Sequence, residues 1–386
     1  MKTKNVRAAG GLLLTLLVMA VCCAAQQAPG PRVVDLAAAD GTKLKATFFS
    51  AGKAGPGVLL LHQCNQQRKG WDGLATQLAA AGISVLTLDY RGYGESDLPP
   101  AEGEKVLNEK WPGDVDVAYG YLVSQPGVNA RVIGAGGASC GVNQAIHLAI
   151  RHPEVKSLVL LSGNADREGR AFLSASEKMP VLLSAADDDG AAVELMEWLY
   201  SLSTNPGSKF VEYPNGGHGV EIFAAHKELP AMIVDWYAQT LVKTPGSAPA
   251  NAARRRDPPT ILKLIDSPGG AEKAAQQLAS ARQKDPHAKL FDEALVNMIG
   301  YEHLQAGDNK GAIEIMKLNA GAFPDSANVY DSLSDAYLAD GQKDPARENA
   351  KKALQKLATD HSGDEAFRKG LQESAEEKLK QLGEKP

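Results

Sequence analysis

The chain has 386 residues, of which 44% are hydrophobic and 23% are charged, as in ordinary globular proteins. At about 100–200 residues per domain, this length indicates two or three domains. The composition excludes collagen-like, fully disordered and polytopic membrane proteins. Forty-one basic residues against 46 acidic ones give a net charge of −5. Because there is no basic surplus, we expect no nucleic-acid partner.

Residues 1–25 have the pattern of an export signal. Three basic residues precede an apolar run at 12–21, and residues 23–25 form a small-residue cleavage site before Gln26. The run is shorter than the roughly 18 residues of a spanning helix, so we expect cleavage and no transmembrane span in the mature chain. The mature protein should be periplasmic or secreted. The alternatives are an uncleaved anchor or a lipoprotein attached through Cys22 or Cys23.

Residues 26–243 alternate between patterns typical of strands and of helices. The predicted strands are 32–36, 44–49, 57–62, 83–89, 131–135, 155–161, 181–185 and 209–213, and the predicted helices are 71–81, 114–124, 142–151, 191–203 and 228–241. This alternation predicts a mostly parallel sheet covered by helices on both faces. The first two strands, joined by the turn at Asp40-Gly41, should be the antiparallel exception.

Residues 244–260 separate this part from the rest of the chain. They are rich in proline, contain almost no large apolar residue and include Arg254-Arg255-Arg256. We interpret them as a solvated linker. A basic anchor for a membrane surface is the alternative for the three arginines.

Residues 261–386 have helical patterns that recur with a period of 34 residues. The matched pairs are Leu304 and Leu338, Gly307 and Gly341, and Ala312 and Ala346. The pattern resembles the tetratricopeptide repeat, in which small side chains let paired helices approach closely. Two copies are fewer than a stable stack needs, so helices predicted at 271–284 and 364–381 should complete it. The resemblance implies that the repeats form a surface for a protein or peptide partner and take no part in the catalysed reaction. A plain helical core is the alternative.

One short motif is typical of nucleophilic catalysis. Gly137-Ala138-Ser139-Cys140-Gly141 lies between a predicted strand and a predicted helix. A nucleophile elbow needs such a sharp turn, because flanking glycines let neighbouring backbone approach while the serine stays exposed above the sheet. The context therefore predicts Ser139 as a nucleophile.

Together with this elbow, three further stretches resemble an α/β hydrolase of the dienelactone-hydrolase-like kind. They are residues 59–62, 88–96 and 216–219. The resemblance implies an α/β-hydrolase fold for this part of the chain, followed by the all-α repeat region. Typical dienelactone hydrolases carry a cysteine nucleophile, and Ser139 here favours ester-type chemistry instead.

The resemblance also implies where the acid and the base lie. The order serine, acid, histidine places the acid after the strand at 181–185, at Asp189 if Ala186 closes the strand and at Asp188 if the register slips by one. A solvated loop or a calcium ligand cluster is the alternative for residues 187–189. His218, between glycines after the strand at 209–213, should be the base, and a surface histidine is the alternative.

Two backbone amides should form the oxyanion hole. One belongs to Cys140, and the other to Cys64 or its neighbour Gln63 in the loop after His62. If these amides converge, Cys64 and Cys140 lie within disulfide range, and an oxidising compartment would let them pair. Two separate thiols are the alternative. We expect no metal and no cofactor, because neither metal-ligand spacing nor a phosphate-binding glycine loop is present.

These features predict an exported serine hydrolase, acting on small carboxylic esters through an acyl-Ser139 intermediate. A peptidase or acyl transferase with the same triad is one alternative. An inactive binding or scaffold protein is another. The sequence leaves open the natural substrate, the acyl-chain preference, the partner of the repeats and the oligomeric state.

Overall fold

The computed structural model describes residue 1 and residues 30–97, 104–251 and 260–384, without the side chains of 104–108. We call residues 30–251 the α/β region and residues 260–384 the helical region. Residues 2–25 of the predicted export signal and residues 252–259 of the predicted linker lie outside the described residues. Across those described ranges, no helix is long and apolar enough to cross a bilayer.

A single sheet organises the α/β region. Its strands are Arg32–Ala37 (β1), Lys43–Phe49 (β2), Gly55–Leu61 (β3), Ser84–Leu88 (β4), Val128–Ala138 (β5), Val155–Leu161 (β6), Val181–Ala186 (β7) and Lys209–Tyr213 (β8). The spatial order is β1-β2-β4-β3-β5-β6-β7-β8. β2 runs antiparallel to both β1 and β4, and the pairs from β4 to β8 are parallel. The prediction of a mostly parallel sheet is therefore confirmed.

Helices cover both faces of this sheet. They are Asp72–Ala80 (α1), Glu104–Ser124 (α2), Cys140–Arg151 (α3), Arg167–Ala175 (α4), Ala192–Leu202 (α5), Ile222–Ala225 (α6) and Glu228–Tyr237 (α7), with a π-helical turn at Ala238–Lys243. One apolar cluster joins the sheet to α2, α3 and α5, and a second joins its other face to α1 and α7. This two-sided burial explains why the central strands are almost wholly apolar.

Glycines in β5 let α7 approach the centre of the sheet. A Cβ atom at Gly134 would lie 2.7 Å from the Tyr237 ring, and one at Gly136 would lie 3.1 Å from its hydroxyl. That buried hydroxyl donates a hydrogen bond to the carbonyl of Ala135 at 2.8 Å. The two glycines thus leave room for Tyr237, whose hydrogen bond holds β5, the strand that leads to Ser139.

The helical region is all-α, as predicted. Its helices are Ile261–Ile265 (α8), Gly270–Lys284 (α9), Glu293–Gln305 (α10), Asn309–Ala322 (α11), Ala327–Ala339 (α12), Lys343–Leu357 (α13) and Glu365–Gln381 (α14). Gly307 and Gly341 have φ angles of 78° and 75° and follow α10 and α12 at equivalent places. Such angles favour glycine, so both helix pairs turn in the same way. The likeness to tetratricopeptide repeats stays a prediction.

The start of the predicted linker lies against the α/β region. The amide of Asn251 donates to the carbonyl of Pro206 at 2.8 Å. A Cβ atom at Gly207 would lie 2.6 Å from the side chain of Ala248. Residues up to Asn251 are therefore held on the α/β region, and the proposed division of the chain at 243 and 260 stays a prediction.

Candidate active site

Ser139 occupies a sharp turn between β5 and α3. Its φ angle of 52° is rare for a residue with a side chain. The turn is possible because its neighbours lack side chains: a Cβ atom at Gly137 would lie 2.0 Å from the carbonyl oxygen of Gly141. A Cβ atom at Gly163, after β6, would lie 2.4 Å from the Ser139 carbonyl oxygen. Sequence reasoning missed Gly163, because its contact with Ser139 forms between the ends of two different strands and leaves no local pattern in the sequence.

His218 lies in the loop after β8, and its ring contacts a carboxylate. Both carboxylate oxygens of Asp189 lie 2.8 Å from Nδ1 of His218. Asp188 has a different role, since it accepts hydrogen bonds from the amides of Gly216 and Gly217, each at 3.0 Å. Those backbone hydrogen bonds lower the pKa of Asp188. Of the two aspartates left open by the sequence, Asp189 is the one that contacts the imidazole.

Ser139, Asp189 and His218 line one cavity of about 380 Å³, together with Ser162, Asn164 and Leu195. The three side chains come from the carboxyl ends of β5, β7 and β8, which meet at one edge of the sheet. The cavity has an apolar side formed by Ala191, Ala192 and Leu195 of the β7–α5 segment. A small apolar group could therefore lie beside the serine.

A model of the family described as serine aminopeptidase, S33, matches residues 53–186. An uncharacterized protein of Mycobacterium tuberculosis is 29% identical over 213 residues, which cover 49% of this chain and 73% of that protein. The thiohydrolase aneE of Aspergillus aculeatus is 31% identical over 129 residues, which cover 33% of this chain and 39% of that protein.

Two solved structures are also similar. The esterase Pf2001 of Pyrococcus furiosus has a TM-score of 0.45 and 18% identity, and covers 54% of this chain and 91% of its own. The dienelactone hydrolase of Anabaena variabilis has a TM-score of 0.45 and 20% identity, and covers 55% of this chain and 99% of its own. The strand order and the family match agree with each other. The N-terminal part of the chain has the α/β-hydrolase fold.

In this hydrolase fold, the loop after β3 lies against the elbow. A disulfide joins Cys64 to Cys140, with their Cα atoms 5.9 Å apart. The carbonyl of Gln63 is held from two sides: Nδ1 of His62 lies 2.7 Å away and the amide of Gln66 donates to it at 3.0 Å. Because a trans peptide directs its N–H opposite to its C=O, the amide of Cys64 is held facing away from these partners.

His62 is buried beneath this loop, and its tautomer follows from its contacts. Burial lowers the pKa of His62, although the hydrogen bond to the Gln63 carbonyl opposes the shift. Nε2 accepts a hydrogen bond from the amide of Tyr90 at 3.2 Å, so the neutral ring carries its proton on Nδ1 and donates it to Gln63. His62 therefore orients the Gln63–Cys64 peptide.

The side chain of Gln63 connects this loop to the loop of His218. Its Nε2 donates to the carbonyl of His218 at 3.1 Å, and its Oε1 accepts from the amide of Val220 at 2.9 Å. A Cβ atom at Gly219 would lie 2.2 Å from the same Oε1. Sequence reasoning named Gln63 only as a candidate backbone donor. Its side-chain contacts span more than 150 residues of sequence, as the separation of 155 from His218 indicates.

Within the described residues, no three His, Cys, Asp or Glu side chains form a group that could hold a metal ion. The groups assembled at the cavity include a hydroxyl, an imidazole and a carboxylate, and Cys140, whose amide begins α3, also lines it. Such groups can activate a serine for attack on an acyl carbon and stabilise the resulting negative charge.

Proposed function

We propose that the protein is an exported serine hydrolase that cleaves small carboxylic esters through an acyl-Ser139 intermediate. One observation carries the proposal: Ser139, on a strained turn, shares a cavity with His218, whose Nδ1 lies 2.8 Å from Asp189. A nucleophile, a base and a carboxylate that orients the base are the minimal set for this chemistry.

The contact between His218 and Asp189 favours the tautomer of His218 that carries its proton on Nδ1. Since the carboxylate accepts from Nδ1, Nε2 of the neutral imidazole is free to take the proton of the Ser139 hydroxyl. The serine oxygen attacks the acyl carbon, and the imidazolium then protonates the departing alcohol. Water, deprotonated by the same Nε2, then attacks the acyl-serine. The imidazolium returns that proton to the Ser139 oxygen as the C–O bond breaks and the acid is released.

The oxyanion formed in each attack needs two donors. The amide of Cys140 opens α3, where first-turn N–H groups have no acceptor within the helix. The orientation of the Gln63–Cys64 peptide supports the amide of Cys64, rather than that of Gln63, as the second donor. Each such donor lowers the barrier by roughly 3 kcal/mol. The disulfide between these two residues holds the donors together.

Active-site labelling tests this proposal. A fluorophosphonate should label the wild-type protein at Ser139, and Ser139→Ala should abolish both labelling and hydrolysis of p-nitrophenyl acetate. Ser174→Ala, which alters an α4 hydroxyl that hydrogen-bonds to Arg170, is the matched control and should be labelled like the wild type. Persistent labelling of the Ser139→Ala variant, or none in the folded wild type, would contradict the proposal.

The same triad fits a peptidase or an acyl transferase, and the matched family and relatives suggest which substrates to compare. Aminoacyl anilides test the activity that the family's description implies, and acyl thioesters test the one named for the Aspergillus protein. Esters should be turned over fastest, because the cavity offers only neutral and apolar groups besides the triad. A folded protein inactive on every substrate would instead indicate a binding or scaffold role. A peptide or protein partner of the helical region stays a proposal from its repeat pattern alone.

A further inference from the structure

The helical region covers the α4–α5 side of the α/β region. Trp198 of α5 is fully buried in an apolar cluster with Leu262 and Ile265 of α8 and with Val296 and Ile299 of α10. Lys263 donates from Nζ to the carbonyl of Ser201 at 3.0 Å. The two regions therefore share a continuous core at this side, although the sequence predicts separate units.

A buried arginine of α4 joins α4 to α10. Arg170 of α4 is 3% exposed and its guanidinium lies 4.3 Å from the centre of the Trp198 ring. It is ion-paired with Glu302 of α10 and lies 3.6 Å from Asp266 after α8. A buried charge must be paired to be tolerated, so the position of α4 depends on carboxylates of the helical region.

Two residues that line the cavity also contact this interface. We use the term cavity wall for Asn164 and Leu195, which line the cavity beside Ser139. Leu195 packs against the same cluster as Trp198. The side-chain nitrogen of Asn164, Nδ2, lies 3.0 Å from the sulfur of Met298 in α10. Both wall residues thus have the helical region immediately behind them.

We propose that Met298 is a positioning residue for substrate selection, which acts through Asn164 to limit the depth of the cavity. The inference rests on the proposed esterase function and adds to it the part of the chain that selects the substrate. Because Met298 contacts the side chain of Asn164, movement of Asn164 toward α10 requires the Met298 side chain to move as well. The helical region therefore sets how long an acyl group the hydrolase accepts.

Three full-chain variants test this role. Met298→Ala removes the support behind Asn164, and Met298→Leu retains its volume. Met316→Ala is the control, since Met316 is 1% exposed in a separate apolar cluster of the helical region. The probes are p-nitrophenyl acetate and p-nitrophenyl octanoate, with kcat and KM measured for each.

We expect Met298→Ala to raise the octanoate-to-acetate ratio of kcat/KM by about threefold or more, through KM for the longer ester. Met298→Leu should restore the wild-type ratio, and Met316→Ala should keep it even if it lowers Tm. An unchanged ratio in Met298→Ala, or the same change in Met316→Ala, would overturn the role of Met298.

Labelling with a short-chain and a long-chain alkyl fluorophosphonate separates this inference from the proposed function. No labelling of the wild type would overturn both. Labelling of the wild type, with the same chain-length selectivity in Met298→Ala, would overturn this inference alone.

Discussion

The side chain of Gln63 holds the backbone that follows the His218 ring, by donating to the His218 carbonyl and accepting from the amide of Val220. Gln63 is fully buried, and its own carbonyl is fixed by His62. The loop after β3 and the loop after β8 are therefore joined by two hydrogen bonds. We expect a displacement of either loop to shift both the proposed oxyanion donor and the proposed base.

Gln63→Ala should lower kcat by about tenfold or more with little change in KM, because it frees the His218 loop and leaves a buried amide unpaired. Steady-state kinetics on p-nitrophenyl acetate would measure this. Asn65→Ala is the control, since it removes the Asn65 acceptor of the Gln63 side-chain amide within the same loop but leaves both contacts of Gln63 with the His218 loop, and it should stay near wild-type activity. Equal effects of the two substitutions would contradict the bracing role.

Asp189→Asn and Asp188→Asn should differ strongly. An amide at 189 favours the wrong imidazole tautomer, so we expect kcat to fall by about three orders of magnitude or more. Asp188→Asn weakens only the hydrogen bonds from Gly216 and Gly217, and should lower kcat by about tenfold. The comparison needs single-variant kinetics with circular dichroism as a folding control. A larger loss in Asp188→Asn would identify that residue as the acid.

The disulfide should matter for stability and for rate. It closes a loop with a sequence separation of 76, which in the chain-entropy model contributes about 4 kcal/mol. The Cys64→Ala, Cys140→Ala double variant should therefore have a lower Tm, and a lower kcat because the two donors are no longer joined. Mass spectrometry of unreduced, alkylated protein checks the bond itself. Two alkylated thiols in active protein would contradict its role.

Ending the chain at Lys243 should damage the α/β region. Truncation exposes the buried Trp198 and leaves Arg170 without Glu302 and Asp266. We expect aggregation on size-exclusion chromatography and a lower Tm than the full chain, because the fragment exposes apolar surface that the helical region buries and loses the ion pairs of Arg170. A monomeric fragment with wild-type kinetics would instead support the independent domain that the sequence predicts.

The interface should also loosen as pH rises. His303 of α10 lies 2.7 Å from Asp308 and 3.2 Å from Asp266, and these hydrogen bonds outweigh burial and nearby Arg167 to raise its pKa above 6.5. The stabilisation is fully present below pH 6.5, the ordinary value, and is lost as pH rises through the raised folded-state pKa. The Tm difference between wild type and His303→Gln should shrink from about pH 5 to about pH 9. A constant difference would contradict this.

Strands were the most predictable elements. The limits of β6 match the predicted 155–161, because a short, mostly apolar run between turns leaves little ambiguity, and the limits of β8 match the predicted 209–213. α2 begins at Glu104 rather than at the predicted 114, and it includes Pro112, a residue that the interior of a helix usually disfavours.

Contacts between distant segments could not be predicted in the same way. α4 is polar in sequence and was missed, because its buried Arg170 is satisfied by Glu302, 132 residues away. The side chain of Gln63 and the place of Gly163 beside Ser139 depend on similar long-range approaches. The elbow, by contrast, is a local motif, and its turn lies where the sequence places it.

The burial of Trp198 has a consequence for synthesis. The α/β region is translated first, and it presents this indole and Arg170 to its surroundings until the residues of α10 follow. During that interval the face is open to association with other incomplete chains. The helical region then covers this face. Substitutions in α10 that weaken this contact should therefore lower the yield of folded protein more than they lower the activity of the molecules that fold.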